Sequence, residues 1–343
     1  MIDMLKRKTI FTTLFCNLCL SLAVVAPVSA ADDSQFVMSA SGTESDNGEF
    51  TVTLKGENIQ DLFAYEVKFN IDGGNIEVVK ASTAINGFSV PPIVKNNEVT
   101  FAHTKIGKVD GEKGNVEIGT ITFKAKKAGT TNIKWTDIKI VDHNLGSQTF
   151  KPNESTSFMK VFGDLSGHWA KSDIMQMVDK KVVEGMDDDH FAPNTNVTRA
   201  QFATLLSKAL NLQDDSGQNP FADVSSGSWY ESTVKKSYAA GLINGVADNA
   251  FAPEQNITRE EMTAMLLRAK AYATGTKIED MNANGSLSFS DEGSISSWAK
   301  KAVVLAVDSG LMNGRTDQEF APHDNASRAE SVVVLKRLIA GLN

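Results

Sequence analysis

Three arginines, Arg199, Arg259 and Arg328, stand in matching surroundings: Thr198-Arg199-Ala200-Gln201, Thr258-Arg259-Glu260-Glu261 and Ser327-Arg328-Ala329-Glu330. A Ser or Thr with Glu or Gln three residues on is a capping box, in which each side chain satisfies a backbone N–H that a helix start leaves bare. The box accounts for its first and fourth residues but not for the arginine. That residue falls at the first helical position, where the macrodipole disfavours a cation by about 0.3–1 kcal/mol. Repetition at an unfavourable place points to a ligand, because a guanidinium beside free helix N–H groups can hold a carboxylate bidentately. The structural alternative is a bridge from each arginine to Asp164, Asp223 or Asp291 of its own or a neighbouring unit. Both hold if the aspartate orients the arginine.

The arginines belong to a long internal repeat. Trp169, Trp229 and Trp298 are 60 and then 69 residues apart, and the same offsets relate Gly185, Gly245 and Gly314; Phe191, Phe251 and Phe320; and Pro193, Pro253 and Pro322. Several residue types in one register define three copies of one unit. Each unit reads Phe-x-Asp, a Trp opening a helix, a Gly-x-x-Asp-x-x-Phe-Ala-Pro turn, and a second helix behind the capping box. The nine extra residues before the third unit fall in a Gly/Asn/Thr-rich connection. Phe202, Leu205, Leu206 and Ala209 give the first of the second helices one apolar face. Val197 with Phe202, and Ile257 with Met262, add a hydrophobic staple that Ala326 and Ser331 lack. The tryptophans read first as core residues and second as platforms for sugar. The Gly-x-x-Asp turn has too few oxygen donors for calcium, and Asp187, Asp188 and Asp189 read as a solvated turn.

Before the repeats, from Gln35 to about Lys160, the pattern has period two, clearest where Phe63, Tyr65, Val67 and Phe69 alternate with polar residues. Further strands are expected at 36–40, 50–55, 76–79, 98–102, 116–124, 131–135 and 138–141, separated by turns such as Asp72-Gly73-Gly74. This spacing predicts an all-β two-sheet sandwich. Its histidines, His103 and His143, stand in no catalytic motif, and no Gly-x-Ser-x-Gly or metal motif occurs, so no catalytic residue and no metal site is assigned.

Residues 1–30 have the form of a secretory leader: Lys6, Arg7 and Lys8, an apolar run from Ile10 to Ala26, and Val28-Ser29-Ala30 before the cleavage point. Both cysteines, Cys16 and Cys19, lie within it, so the mature chain is expected to lack disulfides and thiolate chemistry. No other stretch could span a bilayer. The formal net charge is −8, and losing the leader makes it more negative. That balance argues against nucleic acid, and any anion must be met by individually placed cations.

The run Phe162-Gly163-Asp164-Leu165-Ser166-Gly167-His168-Trp169-Ala170, followed by Phe191-Ala192-Pro193-Asn194 and Thr198-Arg199-Ala200, resembles the S-layer homology (SLH) family over essentially all of 162–343. The resemblance implies an all-α bundle of three repeats with pseudo-threefold symmetry, whose grooves bind anionic, commonly pyruvylated secondary cell-wall polysaccharide. It implies Arg199, Arg259 and Arg328 as binding residues and Asp164, Asp223 and Asp291 as their groove partners, beside which Trp169, Trp229 and Trp298 stand as second candidates for sugar contact. The chain departs from the pattern at Gln201, Ser327 and Lys181, the last standing where Gly241 and Gly310 end a helix.

The segments 50–55, 65–79, 119–125 and 141–145 resemble cohesins, which implies a jelly-roll sandwich and a dockerin-bearing extracellular enzyme as partner. Calcium would enter only with such a dockerin, and this chain itself calls for no cofactor. The expected organisation is a leader at 1–30, a cohesin-like sandwich at 31–160 and SLH repeats at 161–343, about 161–215, 220–275 and 288–343. Together these imply a non-enzymatic secreted anchor at the bacterial cell wall. Alternatives for the β-domain are a carbohydrate-binding module and a packing module of the S-layer.

Overall fold

The computed structural model describes residues 33–213, 218–282 and 285–342; the leader at 1–30 lies outside them. The strands are β1 Gln35–Ala40, β2 Glu44–Ser45, β3 Glu49–Leu62, β4 Ala64–Ile71, β5 Ile76–Ser82, β6 Phe88–Lys95, β7 Glu98–Thr104, β8 Glu112–Ala125, β9 Gly129–Val141, β10 Ser147–Phe150 and β11 Ser155–Lys160. They form two sheets, β1-β3-β8-β5 and β2-β11-β9-β4-β7-β6, with β10 paired to β9. Alternation puts Val52 and Leu54 of β3, Val67 and Phe69 of β4, and Ile121 and Phe123 of β8 in the fully buried layer between them. Trp135 of β9 is enclosed there too, its indole N–H donating to the Asp137 carbonyl at 3.0 Å.

Several strand expectations change, and β2, β10 and β11 are strands outside the expected segments. The segments 131–135 and 138–141 are one strand, β9, carried across Thr136 by a bulge opposite Lys68 and Phe69. Strand β6 was not expected, because Pro91 and Pro92 break its pattern. It is an edge strand whose register shifts between Val90 and Ile93, where a proline costs no ladder hydrogen bond.

Beyond β11 the chain is helical: α1 Lys171–Asp179, α2 Arg199–Ala209, α3 Glu231–Ala239, α4 Arg259–Thr274, α5 Ser297–Asp308 and α6 Arg328–Ala340, with short 3₁₀ turns between some of them. Each of the three units contributes a pair, α1 with α2, α3 with α4, α5 with α6. Capping boxes at Thr198, Thr258 and Ser327 start the second helices. The first helices end in left-handed backbone at Lys181 (φ 58°), Gly241 (φ 69°) and Gly310 (φ 68°).

A ring of backbone hydrogen bonds ties the units together. Val197 N–H donates to the Ala326 carbonyl, Ala326 N–H to Ile257 and Ile257 N–H to Val197, at 2.9–3.0 Å. Every unit therefore gives to one neighbour and receives from the other, and the third unit returns to the first. Within the ring, Phe202, Leu206, Met262, Leu266, Val332 and Leu335 share one core.

The sandwich and the first unit meet through polar contacts. Lys160, the last residue of β11, is buried, and its ammonium donates to the Lys126 carbonyl (2.7 Å) and to Asp189 (2.8 Å). Asp179 at the end of α1 accepts from the Thr130 N–H and hydroxyl, both at 2.8 Å, and Lys171 pairs with Glu44 at 2.8 Å. Of the three acids expected in a solvated turn, Asp189 thus has a buried partner.

Candidate functional site

The helix starts do not offer free N–H groups. The N–H of Arg199 donates to the Gln255 carbonyl, that of Arg259 to Asp324 and that of Arg328 to Thr195, all at 2.9 Å. The next N–H in each helix, of Ala200, Glu260 and Ala329, donates to Pro253, Pro322 and Pro193. The third meets the Thr or Ser hydroxyl of the capping box. The turn of one unit has therefore filled the anion position at the helix start of another, and the arginine must be explained by its side chain.

Arg199 is 3% exposed. Its guanidinium donates to the carbonyls of Phe251 (2.7 Å) and Asn244 (3.1 Å) and to Glu261 (2.9 Å), all in the second unit, and lies over the Phe251 ring. Arg259, also 3% exposed, repeats this with Phe320, Asn313 and Glu330 of the third unit. Arg328 closes the circle on the Phe191 and Glu184 carbonyls of the first unit. Gln201 stands where a glutamate would pair with it, and Arg328 is only half-buried, with no ion-pair partner among the described residues. Burial pulls all three guanidiniums below the ordinary arginine range. The adjacent Glu261 and Glu330 oppose this for Arg199 and Arg259, whereas Asp164 alone opposes it for Arg328.

The aspartates have a different local task from an arginine bridge. Asp164 accepts from the Phe191 and Ala192 N–H groups, Asp223 from Phe251 and Ala252, and Asp291 from Phe320 and Ala321. Those alanines have φ of 56–58°, so each carboxylate holds a left-handed turn whose Phe carbonyl receives the arginine. The sequence alternative of an Arg–Asp bridge is replaced by Arg–carbonyl and Arg–Glu bonds, with the aspartate one step behind. The glycine of the turn is fixed by space: a Cβ on Gly185 would lie 2.4 Å from the Phe162 ring, and one on Gly314 2.6 Å from the Phe289 ring.

The tryptophans overturn the expectation of core residues. Trp169, Trp229 and Trp298 are 65%, 60% and 57% exposed. The buried stripe of each first helix runs through the next residue, as in Ala170-Ile174-Met177 and Ala299-Val303-Ala306, which leaves the indole one step off the apolar face. Each indole instead lines a groove that all three units build. Trp298 faces the groove of Arg199 and Gly245, Trp169 that of Arg259 and Gly314, and Trp229 that of Arg328 and Gly185. The groove volumes are about 450, 520 and 170 Å³ respectively.

The sequence reading missed two further groove residues, Arg268 of α4 and Arg337 of α6. Each lies nine residues after a capping-box arginine, on the helix face that also carries Glu261 or Glu330, and Lys208 holds the matching place in α2. The signal was present as a third in-register basic position. Asn244 satisfies both amide atoms when its oxygen faces Arg268 at 3.3 Å, and Asn313 does so with Arg337 at 3.3 Å. Cationic grooves floored by backbone and walled by an exposed indole can pair an acidic group while stacking a sugar ring. Among the described residues no group of His, Cys, Asp and Glu side chains is arranged to hold a metal ion.

Three segments, 161–203, 220–263 and 288–330, match the family described as the S-layer homology domain. Among curated proteins, the chain is 38% identical over 264 residues to an amylopullulanase of Thermoanaerobacterium thermosulfurigenes, covering 71% of this chain and 14% of that protein. It is 31% identical over 307 residues to exoglucanase XynX of Acetivibrio thermocellus, covering 88% of this chain and 26% of the enzyme. It is 33% identical over 174 residues to the S-layer protein sap of Bacillus anthracis, covering 50% and 20%. The chain thus spans about a quarter or less of these relatives. Among solved structures, a cohesin module from a Clostridium perfringens family 33 glycoside hydrolase aligns at 12% identity with a TM-score of 0.33, covering 37% of this chain and 96% of the module.

Proposed function

We propose that this chain, whose C-terminal half consists of three S-layer homology domains, is a non-covalent anchor that holds its β-domain at the bacterial cell surface. The three repeats form a pseudo-threefold bundle whose grooves take an anionic secondary cell-wall polysaccharide, with pyruvyl-type carboxylates as the acidic groups. Trp169, Trp229 and Trp298 stack the sugars, and the basic residues around Arg199, Arg259 and Arg328 meet the acid. The observation that carries this reading is that each groove joins an exposed indole from one unit to cations from the other two.

The test is co-sedimentation of the protein with purified cell-wall sacculi, before and after acid extraction of the wall polymer. Pelleting is expected only with intact polymer, weakening as salt rises. A Trp169→Ala/Trp229→Ala/Trp298→Ala variant, which alters exposed residues only, is expected to fold and stay in the supernatant. Pelleting unchanged by acid extraction or by this variant would overturn the reading.

The β-domain acts as a cohesin-like receptor for a dockerin-type module of an extracellular enzyme, and turns over no substrate itself. Support comes from β6, where Phe88 (59% exposed) and Val90 flank the open sheet face of β4 and β7. Titration with a calcium-loaded dockerin, against a Phe88→Ser/Val90→Ser variant, tests the receptor. Binding of a soluble glycan to the same face, with no response to dockerin, would make the domain a carbohydrate-binding module.

A further inference from the structure

The three grooves keep their spare positive charge in different places. At Arg199 and Arg259 the glutamates of the next capping box, Glu261 and Glu330, neutralise a guanidinium that is almost fully buried. The cation left over is the half-buried arginine seven residues after that glutamate on the same helix, Arg268 or Arg337, which has a side-chain amide for company and no ion-pair partner among the described residues. In the Arg259 groove a further cation, Arg315, is also taken, by Asp324 and Glu330. In the third groove the arrangement is exchanged: Lys208, at the place of Arg268, pairs with Glu184 at 3.6 Å, while Gln201 leaves Arg328 uncompensated and half-buried.

From this exchange we infer that the acidic groups of the polymer are recognised by Arg268, Arg337 and Arg328, one per groove, and that Arg199 and Arg259 are braces between units. A brace with two backbone carbonyls and a carboxylate has few N–H groups left and little surface to present. A half-buried guanidinium beside an indole keeps N–H groups to offer a carboxylate, even at Arg328, where two carbonyls take Nε and one Nη, and it is desolvated enough for the pair to matter. The inference rests on the wall-polymer reading and sharpens it, since the sequence pattern alone treats the three capping-box arginines as equivalent.

The experiment uses the full secreted chain and purified sacculi. An Arg268→Gln/Arg337→Gln/Gln201→Glu variant removes two spare cations and pairs the third without touching a brace, and a glutamate at 201 still completes the capping box with Thr198. It is expected to melt no lower than the wild type and to need about tenfold more sacculi for half-pelleting. Arg199→Gln/Arg259→Gln is expected to lower the melting temperature, and Glu261→Gln to bind sacculi at least as well as wild type. If the first variant pellets like wild type, or if Arg199→Gln/Arg259→Gln loses pelleting at an unchanged melting temperature, the assignment is overturned. If the wild-type protein itself fails to pellet, the wall reading falls and takes the assignment with it.

Discussion

At the scale of single residues, backbone conformation sets terms that the side chain then meets or fails. Lys181 sits at φ 58° where the other two units place glycine. A residue with a Cβ costs roughly 1–2 kcal/mol there. Lys181→Gly is therefore expected to stabilise the protein by about 1 kcal/mol in a urea titration, part of the gain being lost to unfolded-chain entropy. Two histidines of the sandwich should oppose each other in pH dependence. Hydrogen bonding to Asp61 raises His143 above its ordinary 6.5. Its contribution is complete below pH 6.5 and disappears as pH rises through the raised folded value. Burial lowers His103, so the unfolded chain takes up a proton that the folded one refuses, and stability falls as pH drops below 6.5. Melting curves across pH 5–8 should flatten on the alkaline side for His143→Gln and on the acid side for His103→Gln. The left-handed ends were legible, because Gly241 and Gly310 flank the odd lysine. The exposure of the tryptophans was equally present, one residue off each apolar stripe, but residue type outweighed phase in the reading.

At the scale of elements, the capping box serves two helices at once. Glu261 accepts from the Thr258 N–H of its own helix and from the Arg199 guanidinium of another unit, and Glu330 does the same with Ser327 and Arg259. A box read from sequence shows the first bond and hides the second, since nothing in a single helix announces who approaches it. For the same reason the helix N–H groups looked free when carbonyls of the neighbouring turn already occupied them. Glu261→Gln should keep the cap and lose the ion pair, destabilising by about 1–3 kcal/mol in chemical denaturation. Gln201→Glu should build the missing third pair with Arg328 and raise the melting temperature. A fall on Gln201→Glu would mean that the first unit cannot bring the carboxylate within reach. In the sandwich, alternation made the long strands legible, while β6 stayed hidden because its prolines mimic a loop until an edge and a bulge accommodate them.

At the scale of the whole molecule, the sandwich and the first repeat share a small polar seam through Lys160, Asp179 and Lys171. Its members come from segments 29–127 residues apart, so the sequence showed only the short connection at Val161 and not what locks it. Among the described residues no helix is long and apolar enough to cross a membrane. Removing the seam with Lys160→Met/Asp179→Ala should separate the unfolding of the two halves. Calorimetry is expected to resolve two transitions in that variant where the parent shows tighter coupling, and an unchanged single transition would place the coupling elsewhere.

The hydrogen-bond cycle through Val197, Ala326 and Ile257 has a consequence for assembly. A row of repeats normally needs special end pieces, because its first and last members each expose a sticky face. Here the two ends of the row are each other's cover. A version cut to two repeats would hold one donor face and one acceptor face with nothing between them, and since those faces are complementary without being identical, the copies would join head to tail. Whether they close as a small ring or run on as a fibre would depend on the angle per unit, so the third repeat also acts as the stopper that keeps this architecture from polymerising.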